Sequence, residues 1–261
     1  MEVVTGASTP VERDELLSPD PIRSAADPDR LDEIGRDYDP SDPSQHFDYW
    51  LKRLQVKCIT PWLRGARTLE LGCATGELTS LLEPLVDRYD VVEGSPHNVE
   101  IASARVPRAN FTLSMWEDFE PQARYSDIVL CNAIEHVQDP RSLLTRARDW
   151  LEPDGRIHIV VPNGHSLHRL VGVELGFLPE PLHLSDGDRS QGHLRNYTVD
   201  SLLSEVRGAG LRVANLQPVF LKVLSNPQML SWSRELIEAM HTVAQRFPEH
   251  GAEIYAVAQR A

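Results

Sequence analysis

The segment LELGCATGEL, residues 69–78, places an acid and two glycines directly after an apolar run. Glycine lets a backbone approach a bound ligand closely. A phosphate-binding loop would carry a lysine after its last glycine, but Glu77 follows Gly76. A dinucleotide-binding loop that begins at Gly72 would have glycines where Ala74 and Glu77 stand. The segment therefore fits neither of these phosphate-binding classes.

A second acid, Glu93, ends the next apolar segment, VVE. A carboxylate at the end of the second strand of a nucleotide-binding unit can accept hydrogen bonds from ribose hydroxyls. Together with Glu70, Gly72 and Gly76, Glu93 predicts a site for an adenosyl ligand that has no pyrophosphate. Because there is no phosphate to hold, the glycine segment can accept an amino-acid tail instead.

Strand and helix patterns alternate around these residues. Strands are predicted in ARTLEL, YDVVEG, ANFTLSM, SDIVLCN, RIHIVVPN, LRVANLQPV and EIYAVAQ. Helices are predicted over residues 44–60, in ELTSLLEPLV, from Ser95 to about Arg105, in RSLLTRARDWL after Asp139, and in VDSLLSEVRGAG after Thr198. A turn is predicted at residues 153–155. The alternation predicts an α/β fold, a Rossmann-like doubly wound sheet of seven parallel strands, with ligands at the carboxyl ends of the strands.

Three segments fall outside this alternation. Residues 1–43 are rich in acids and proline, and we expect a flexible segment ahead of a single domain over residues 44–261. Residues 163–197, after the fifth strand, are expected to be an irregular insertion, and residues 219–250, after the sixth, a helical one. We expect both insertions to face the substrate.

Composition narrows the class of function. The net charge is −13, so a broad basic surface for nucleic acid is not expected, nor is binding to an anionic membrane. There is no run of 18 apolar residues, and the N-terminus lacks the pattern of a signal peptide. The three cysteines form no C-x-x-C pair and fit a reducing compartment. We therefore expect a cytoplasmic protein.

Five segments, in this order, resemble the class I S-adenosylmethionine-dependent methyltransferases. They are LELGCATGELT, VVEGSPHNVEIA, SDIVLCNAIEHVQDP, WLEPDGRIHIVVPN and GHLRNYTVDSLL, and they span roughly residues 45–215. One departure is Ala74, where the family usually has a glycine. Alanine is small enough that the resemblance still implies binding of S-adenosyl-L-methionine, with S-adenosyl-L-homocysteine as product. It also implies that the helix before the first strand acts as a lid over the cofactor.

The resemblance also implies which positions bind the cofactor. It places the methionine portion at Glu70, Gly72, Cys73 and Gly76, the ribose at Glu93, the adenine at Gly94, Ser95, Trp116 and Glu117, and the sulfonium near Asn132 and Ala133. Other roles stay open for some of them. Glu70 could serve only to fix the loop, Trp116 could be a core residue, and the cysteines are expected to be packing residues rather than nucleophiles.

Histidines are the candidate bases for the acceptor. His136 follows the fourth strand, although the Glu135-His136 pair could equally have a structural role, and the insertion contributes His165 and His193. Candidate substrate-binding residues are Tyr49, His183, Arg195 and Tyr197. No metal is expected, because His183, Asp186, Asp188 and His193 match no trusted metal-binding spacing.

These features predict an enzyme that methylates an oxygen or nitrogen atom of a small molecule, a natural-product or quinone-like intermediate. Two alternatives remain: a peptide or protein acceptor, to which an acidic surface is complementary, or a non-catalytic cofactor-binding partner protein. A homodimer is a further expectation, since the apolar residues of the second insertion could form a dimer contact.

Overall fold

The computed structural model describes residues 28–36 and 38–261. Seven strands are Arg67–Leu71 (β1), Arg88–Glu93 (β2), Asn110–Leu113 (β3), Tyr125–Cys131 (β4), Leu151–Pro162 (β5), Leu211–Pro218 (β6) and Glu253–Arg260 (β7). The helices are Pro28–Arg36 (α1), Asp48–Ile59 (α2), Glu77–Leu82 (α3), Pro96–Arg105 (α4), Pro140–Trp150 (α5), Leu167–Glu174 (α6), Asp186–Ser190 (α7), Val199–Gly208 (α8), Asn226–Met229 (α9) and Arg234–Ala244 (α10). Short 3₁₀ turns follow α2, α3 and β4.

All seven strands form one sheet in the order β3-β2-β1-β4-β5-β7-β6. The first five strands pair in parallel, whereas β7 pairs antiparallel with both β5 and β6. The prediction of a Rossmann-like seven-stranded α/β fold is confirmed, but the expectation that every strand is parallel is wrong for β7. Its direction is reversed because the chain returns from β6 through α9 and α10 and enters the sheet between β5 and β6.

Two apolar clusters cover the two faces of the sheet. One contains Leu69, Leu130 and residues of α5 and α8, and the other contains Val129 and residues of α2, α3, α4 and α10. The continuous apolar run of β4 is buried along its whole length, as a central parallel strand requires. Helices on both faces leave the carboxyl ends of β1, β2 and β4 as the natural place for a ligand.

Three helix starts agree with the prediction. The side chains of Ser95, Asp139 and Thr198 each accept a hydrogen bond from the backbone N–H three residues later. These caps fix the directions in which α4, α5 and α8 leave the strand ends.

Three local predictions differ from the structure. The segment 1–43 contains a helix, α1, over Pro28–Arg36, while the rest of the predicted flexible segment up to residue 27 lies outside the described residues. The predicted turn at residues 153–155 lies inside β5 as a bulge, because Tyr125 pairs with Leu151 and Asp127 with Arg156. The insertion over residues 163–197 is not irregular throughout, since it contains α6 and α7.

A buried polar group supports the amino end of the central strands. Asp127 accepts hydrogen bonds from the backbone N–H groups of Arg64 and Gly65, and its carboxylate lies 3.0 Å from Nε2 of His158. Nδ1 of His158 lies 2.8 Å from the hydroxyl of Tyr255. This chain connects the entry to β1 with β4, β5 and β7, and so holds the strands in the positions that the site needs.

Within the described residues, no helix is long and apolar enough to cross a membrane.

Candidate functional site

A cavity of about 540 Å³ lies at the carboxyl ends of β1, β2 and β4. Its wall includes predicted cofactor-binding residues and two of the predicted bases, but none of the predicted substrate-binding residues. The predicted site residues that line it are Glu70, Gly72, Cys73, Glu93, Gly94, Trp116, Glu117, Asn132, His136 and His193. Further walls come from α1, α2, the insertion after β5 and the segment after β6.

The glycine segment takes a backbone shape that explains its residue types. Gly72, Ala74 and Gly76 have φ values of 79°, 46° and 79°, in the left-handed region that favours glycine. A Cβ on Gly72 would lie 2.8 Å from the Trp116 ring, and one on Gly76 would lie 2.9 Å from Cβ of Ala102. The departure at Ala74 is therefore accommodated in the left-handed region, whereas Gly72 and Gly76 also need the space.

Glu93 is the acid that organises this segment. Its Oε2 accepts hydrogen bonds from the backbone N–H groups of Cys73 (3.0 Å) and Ala74 (3.1 Å), and its Oε1 accepts one from Ser95 (2.9 Å). A carboxylate can accept about four hydrogen bonds, so three of its sites are in use and it still faces the cavity. Glu93 thus positions the loop while keeping acceptor capacity for a ligand hydroxyl.

Glu70 is almost fully buried at the end of β1. Its Oε2 accepts hydrogen bonds from the hydroxyls of Thr79 (2.7 Å) and Tyr89 (3.0 Å). Among the described residues its Oε1 has no hydrogen-bond partner. Burial raises the pKa of Glu70 to about 7, although both hydroxyls act in the opposite direction. Glu70 therefore fixes the start of α3, as the more conservative hypothesis held, and also leaves one oxygen for a cationic ligand group.

A buried network that the sequence analysis missed joins α2 to the ends of β4 and β7. Asn132, at φ 53°, accepts hydrogen bonds at Oδ1 from Lys52 Nζ and Gln55 Nε2, both 2.9 Å away. Gln55 and Asn132 also donate to the carboxylate of Glu253. Lys52 and Gln55 lie one turn apart on α2, which is a sign of a shared face, but no local pattern connects them to Glu253, 198 residues after Gln55.

His136 and His193 meet at one end of the cavity. Their rings are 4.8 Å apart in an edge-to-face arrangement. Burial lowers the pKa of both histidines, and the proximity of His193 helps to lower that of His136 to about 3. Both rings are therefore neutral at pH 7 and can accept a proton or a cation. The structure thus brings two of the three candidate bases into contact, although they are 57 residues apart in the sequence.

Two predicted substrate-binding residues hold the backbone beside these histidines instead of lining the cavity. The Arg195 guanidinium donates to the carbonyl oxygens of Ile134, Val137 and Gln138. The buried Tyr197 hydroxyl donates to the Ile134 carbonyl, 3.4 Å away. Their polar groups are used to attach the end of the insertion to the turn after β4, which removes them from contact with an acceptor.

Other predicted residues also lie outside the cavity wall. His165 is exposed, and its carbonyl accepts a hydrogen bond from His250. Tyr49 has the Arg53 guanidinium stacked 3.3 Å from its ring centroid. His183 contributes its carbonyl oxygen to Arg169. Three predicted cofactor-binding residues support the site from behind: Gly76 packs on Ala102, Ser95 caps α4, and Ala133 is in the apolar core.

One polar part of the cavity wall, called the polar end below, consists mostly of residues that the sequence analysis did not select. Tyr38 donates to Asp48 (3.1 Å), and Asn226 donates to the other oxygen of Asp48 (3.0 Å). His168 and Lys222 also line this end, and burial lowers the pKa of each. The Lys222 ammonium makes no hydrogen bond to any described residue. These groups come from four separate segments, so only the fold brings them together.

Helix α1 covers the cavity beside Glu93. Leu31 packs against Gly94, and Ile34 packs against Gly192 of the insertion, at positions where a Cβ would come within 3.0 Å. Oδ1 of Asp32 accepts hydrogen bonds from the Ser95 hydroxyl (2.9 Å) and the His97 N–H (3.0 Å). The helix forms here because these contacts with α4 and the insertion compensate for a segment whose composition alone indicates a loop.

We expect the Asp32→Ala substitution to weaken S-adenosylhomocysteine binding about three- to tenfold, because α1 then loses its two hydrogen bonds to the start of α4. Calorimetric titration measures this change. The matched control is Glu33→Ala, since Glu33 is on the same helix and, within the part of the chain that the structure describes, pairs only with Arg30. Equal effects of the two substitutions would contradict a role for Asp32 in closing the cavity.

Comparisons with known proteins agree with this geometry. A family model described as a methyltransferase domain matches residues 40–216. A ubiquinone biosynthesis O-methyltransferase from Cereibacter sphaeroides is 29% identical over 181 residues, covering 65% of this chain and 68% of the relative. A trans-aconitate 2-methyltransferase from Variovorax paradoxus is 32% identical over 134 residues, covering 48% and 51%.

Solved structures show the same fold. A methyltransferase from Thermotoga maritima superposes with a TM-score of 0.59 at 17% identity, covering 88% of this chain and all of that chain. The Burkholderia thailandensis 1,6-didemethyltoxoflavin-N1-methyltransferase, solved with its substrate and S-adenosylhomocysteine, gives a TM-score of 0.52 at 18% identity, covering 81% and 78%.

Proposed function

Because the chain belongs to the class I S-adenosylmethionine-dependent methyltransferases, we propose that it methylates an oxygen or nitrogen atom of a small molecule, a natural-product or quinone-like intermediate. The observation that carries the proposal is the cavity of about 540 Å³, which has to hold both the cofactor and the acceptor. That volume lies within the range of small-molecule sites, roughly 300–1,000 Å³. A cavity shared in this way favours a compact acceptor over a polymer.

The residues at the carboxyl ends of β1 and β2 fit the cofactor. When bound, S-adenosylmethionine supplies an electrophilic methyl group on a positively charged sulfur. Glu93 has remaining acceptor capacity for ribose hydroxyls, and Glu70 has an oxygen without a partner for the ammonium group. A Cβ at Gly72 would lie 2.8 Å from the Trp116 ring and one at Gly94 would lie 2.8 Å from Leu31, so glycine at these positions lets both side chains pack closely at the cavity. The carboxyl groups of Glu70 and Glu93 in the wall also favour a cationic ligand electrostatically.

The polar end of the cavity suits the acceptor. Lys222, His168 and the Tyr38–Asp48–Asn226 group offer hydrogen bonds and one positive charge. The neutral rings of His136 and His193 also line the cavity, where they can take up a proton that leaves the acceptor. The protein's contribution is to align the acceptor atom with the methyl group and to exclude water.

The test is transfer of an isotopically labelled methyl group to defined acceptors, read by mass spectrometry. The panel pairs phenols with the corresponding anilines and phenolic acids with their amides, and adds a basic peptide. We expect label on a small hydroxylated or amino compound, with a preference for those that carry a negative charge facing Lys222. Label on the peptide alone, or cofactor binding without transfer to any small molecule, would contradict the proposal and favour a protein acceptor or a non-catalytic binding protein.

Glu70 predicts a pH-dependent cofactor affinity. Its pKa is raised to about 7 by burial, so the carboxyl is mostly protonated at pH 6 and mostly ionised at pH 8. A bound ammonium group favours the ionised form, so binding should tighten about tenfold from pH 6 to pH 8, the ratio of the ionised fractions. Lys52 and Glu93 also act on this carboxyl, and Lys52 opposes the effect of burial.

Calorimetry of S-adenosylhomocysteine at pH 6, 7 and 8 measures this dependence, and buffers of different ionisation enthalpy count the protons released. In the Glu70→Gln variant the position no longer titrates, so the dependence should flatten. An affinity that is independent of pH in the wild-type protein would show that Glu70 only fixes the start of α3.

Two further parts of the proposal concern the whole protein. The absence of C-x-x-C pairs and the buried state of all three cysteines support a reducing, cytoplasmic location. A homodimer remains part of the proposal, and the exposed apolar side chains of Leu236 on α10 and Leu224 before α9 support it.

A further inference from the structure

Glu135 is fully buried, yet neither of its carboxylate oxygens has a hydrogen-bond partner among the described residues. An ionised carboxylate that is buried without hydrogen-bond partners is strongly disfavoured, because nothing replaces the water that solvates its charge. The sequence analysis gave this residue no role beyond a structural pair with His136. A carboxylate in this state needs a proton or a cation.

Two imidazoles lie beside this carboxylate. One donor atom from each of Glu135, His136 and His193 falls within 4.8 Å of the other two. Three groups that can each offer a lone pair therefore converge on one point, and His136 and His193 also line the cavity.

The backbone holds the three groups in place. The Leu194 N–H donates to the Glu135 carbonyl (2.9 Å), and the His193 N–H donates to the Asp188 carbonyl (3.0 Å). The Arg195 guanidinium donates hydrogen bonds to carbonyl oxygens of the turn that contains Glu135 and His136. Two segments far apart in sequence are thus fastened on either side of the cluster, so its geometry does not depend on a mobile loop.

The carboxylate of Asp188 lies next to the His193 ring. Oδ1 of Asp188 lies 3.8 Å from Nδ1 of His193, and Oδ2 of Asp188 accepts hydrogen bonds from Arg169 (3.1 Å) and the Ser185 hydroxyl (2.8 Å). Histidines that bind metals usually have such a carboxylate or carbonyl behind them, because it fixes the ring and its tautomer. A small rotation of the His193 ring would bring Nδ1 within hydrogen-bonding distance of Asp188.

We propose that Glu135, His136 and His193 bind a divalent transition-metal cation of the zinc type, in contrast to the absence of a metal expected from the sequence. Two imidazoles and one carboxylate are a ligand set that catalytic zinc sites use, with a fourth position open. Magnesium and calcium prefer oxygen ligands and fit this set poorly. Tetrahedral binding needs donors about 3.3 Å apart, so the three side chains, whose donor atoms lie within 4.8 Å of one another, would move closer together when the cation binds.

A bound cation would activate the acceptor for methyl transfer, and this role rests on the proposed function. The open position faces the cavity, where a hydroxyl of the acceptor can approach it. A divalent cation lowers the pKa of a coordinated oxygen acid by several units, so the hydroxyl proton passes to solvent near neutral pH. The two histidines would then be ligands rather than bases. The acceptor class narrows to compounds with a hydroxyl group, and O-methylation is favoured over N-methylation.

The experiment measures metal binding directly. The full chain is treated with a chelator, dialysed, and titrated with Co²⁺ while its visible ligand-field absorption is recorded, and then with Zn²⁺ by calorimetry. We expect one equivalent of each cation and displacement of Co²⁺ by Zn²⁺. Glu135→Gln and His193→Ala should each weaken binding at least about tenfold, the lower limit for loss of a group that supports a metal site. His250→Ala is the control, because its ring contacts the His165 carbonyl outside the cavity.

Melting temperature and S-adenosylhomocysteine binding are measured on the same samples. If the wild-type protein binds S-adenosylhomocysteine but no Co²⁺, or if His250→Ala weakens Co²⁺ binding as much as His193→Ala does, the metal site is wrong while the proposed function stands. If S-adenosylhomocysteine does not bind, the proposed function fails independently of the metal. Should Glu135→Gln not fold, His193→Ala decides the result, since the ring of His193 is only partly buried.

Discussion

Glu93→Gln is expected to weaken S-adenosylhomocysteine binding about 100-fold, or about 2.7 kcal/mol. In the structure the Glu93 carboxylate accepts hydrogen bonds from the backbone N–H groups of Cys73, Ala74 and Ser95. A glutamine amide group would face some of these N–H groups with its own N–H donors, so those hydrogen bonds would be lost. Hydrogen bonds to a charged group contribute about 1.5–3 kcal/mol each. The substitution therefore disturbs both the loop that holds the cofactor and the acceptor sites for its ribose.

The matched control for Glu93 is Glu117→Gln. Glu117 follows β3 and also lines the cavity, and the resemblance places it beside the adenine. In the structure, however, it is exposed and makes no hydrogen bond to the described residues. We expect it to change the affinity by less than about threefold, since exposed charges are screened by water. Calorimetry and melting temperature are measured for both variants. A folded Glu93→Gln protein that binds S-adenosylhomocysteine as tightly as the wild type would remove Glu93 from the site.

Gly76→Ala is expected to lower the free energy of unfolding by about 3 kcal/mol, combining backbone strain with overpacking. Gly76 has a φ of 79°, which disfavours any residue with a Cβ. The added Cβ would also lie 2.9 Å from Cβ and 3.1 Å from Cα of Ala102, and that backbone cannot move without shifting α4. Since α4 starts directly after Glu93 and Ser95, cofactor binding should weaken as well.

Gly176→Ala separates the two contributions. Gly176 has a similar φ of 74°, but an added Cβ would meet nothing within 4 Å. It should therefore cost only the backbone strain, about 1 kcal/mol, and leave cofactor binding unchanged. Chemical denaturation of both variants measures the difference. Equal losses of stability would mean that the close approach of the glycine segment to α4 contributes nothing.

The sequence was most informative where local patterns decide the structure. Cap residues such as Ser95, Asp139 and Thr198 mark helix starts because their side chains bond only three residues ahead. The glycine segment and Glu93 could be identified because left-handed backbone and a strand-end acid leave a short, specific signature. Each of these signals is short and can be recognised from a few neighbouring residues.

Predictions failed where residues distant in sequence meet. Tyr197 and Arg195 resemble ligand-binding residues in composition, but their polar groups are used by the carbonyls of the turn after β4. Helix α1 forms against α4 and the insertion, so its acidic, proline-rich surroundings give no sign of it. The network of Gln55, Asn132 and Glu253 joins three elements that only the strand order brings together.

The direction of β7 shows the same limit in the fold itself. Its sequence, whose first six residues are all buried, is equally compatible with parallel and antiparallel pairing. Only the insertion of β7 between β5 and β6 determines the pairing. That insertion places Glu253 at the cavity, where burial raises its pKa. The position of β7 between β5 and β6 therefore explains both its antiparallel direction and the presence of Glu253 in the site, neither of which was predicted.

The most direct test of the account is a crystal structure of the protein with S-adenosylhomocysteine. We expect the ligand in the described cavity, with its ribose hydroxyls within hydrogen-bonding distance of Glu93 and its ammonium group near Oε1 of Glu70. Space should remain between the thioether sulfur and the polar end of the cavity, which contains Lys222 and Asp48. A ligand bound elsewhere, or bound here with its ribose turned away from Glu93, would contradict the proposed arrangement of cofactor and acceptor.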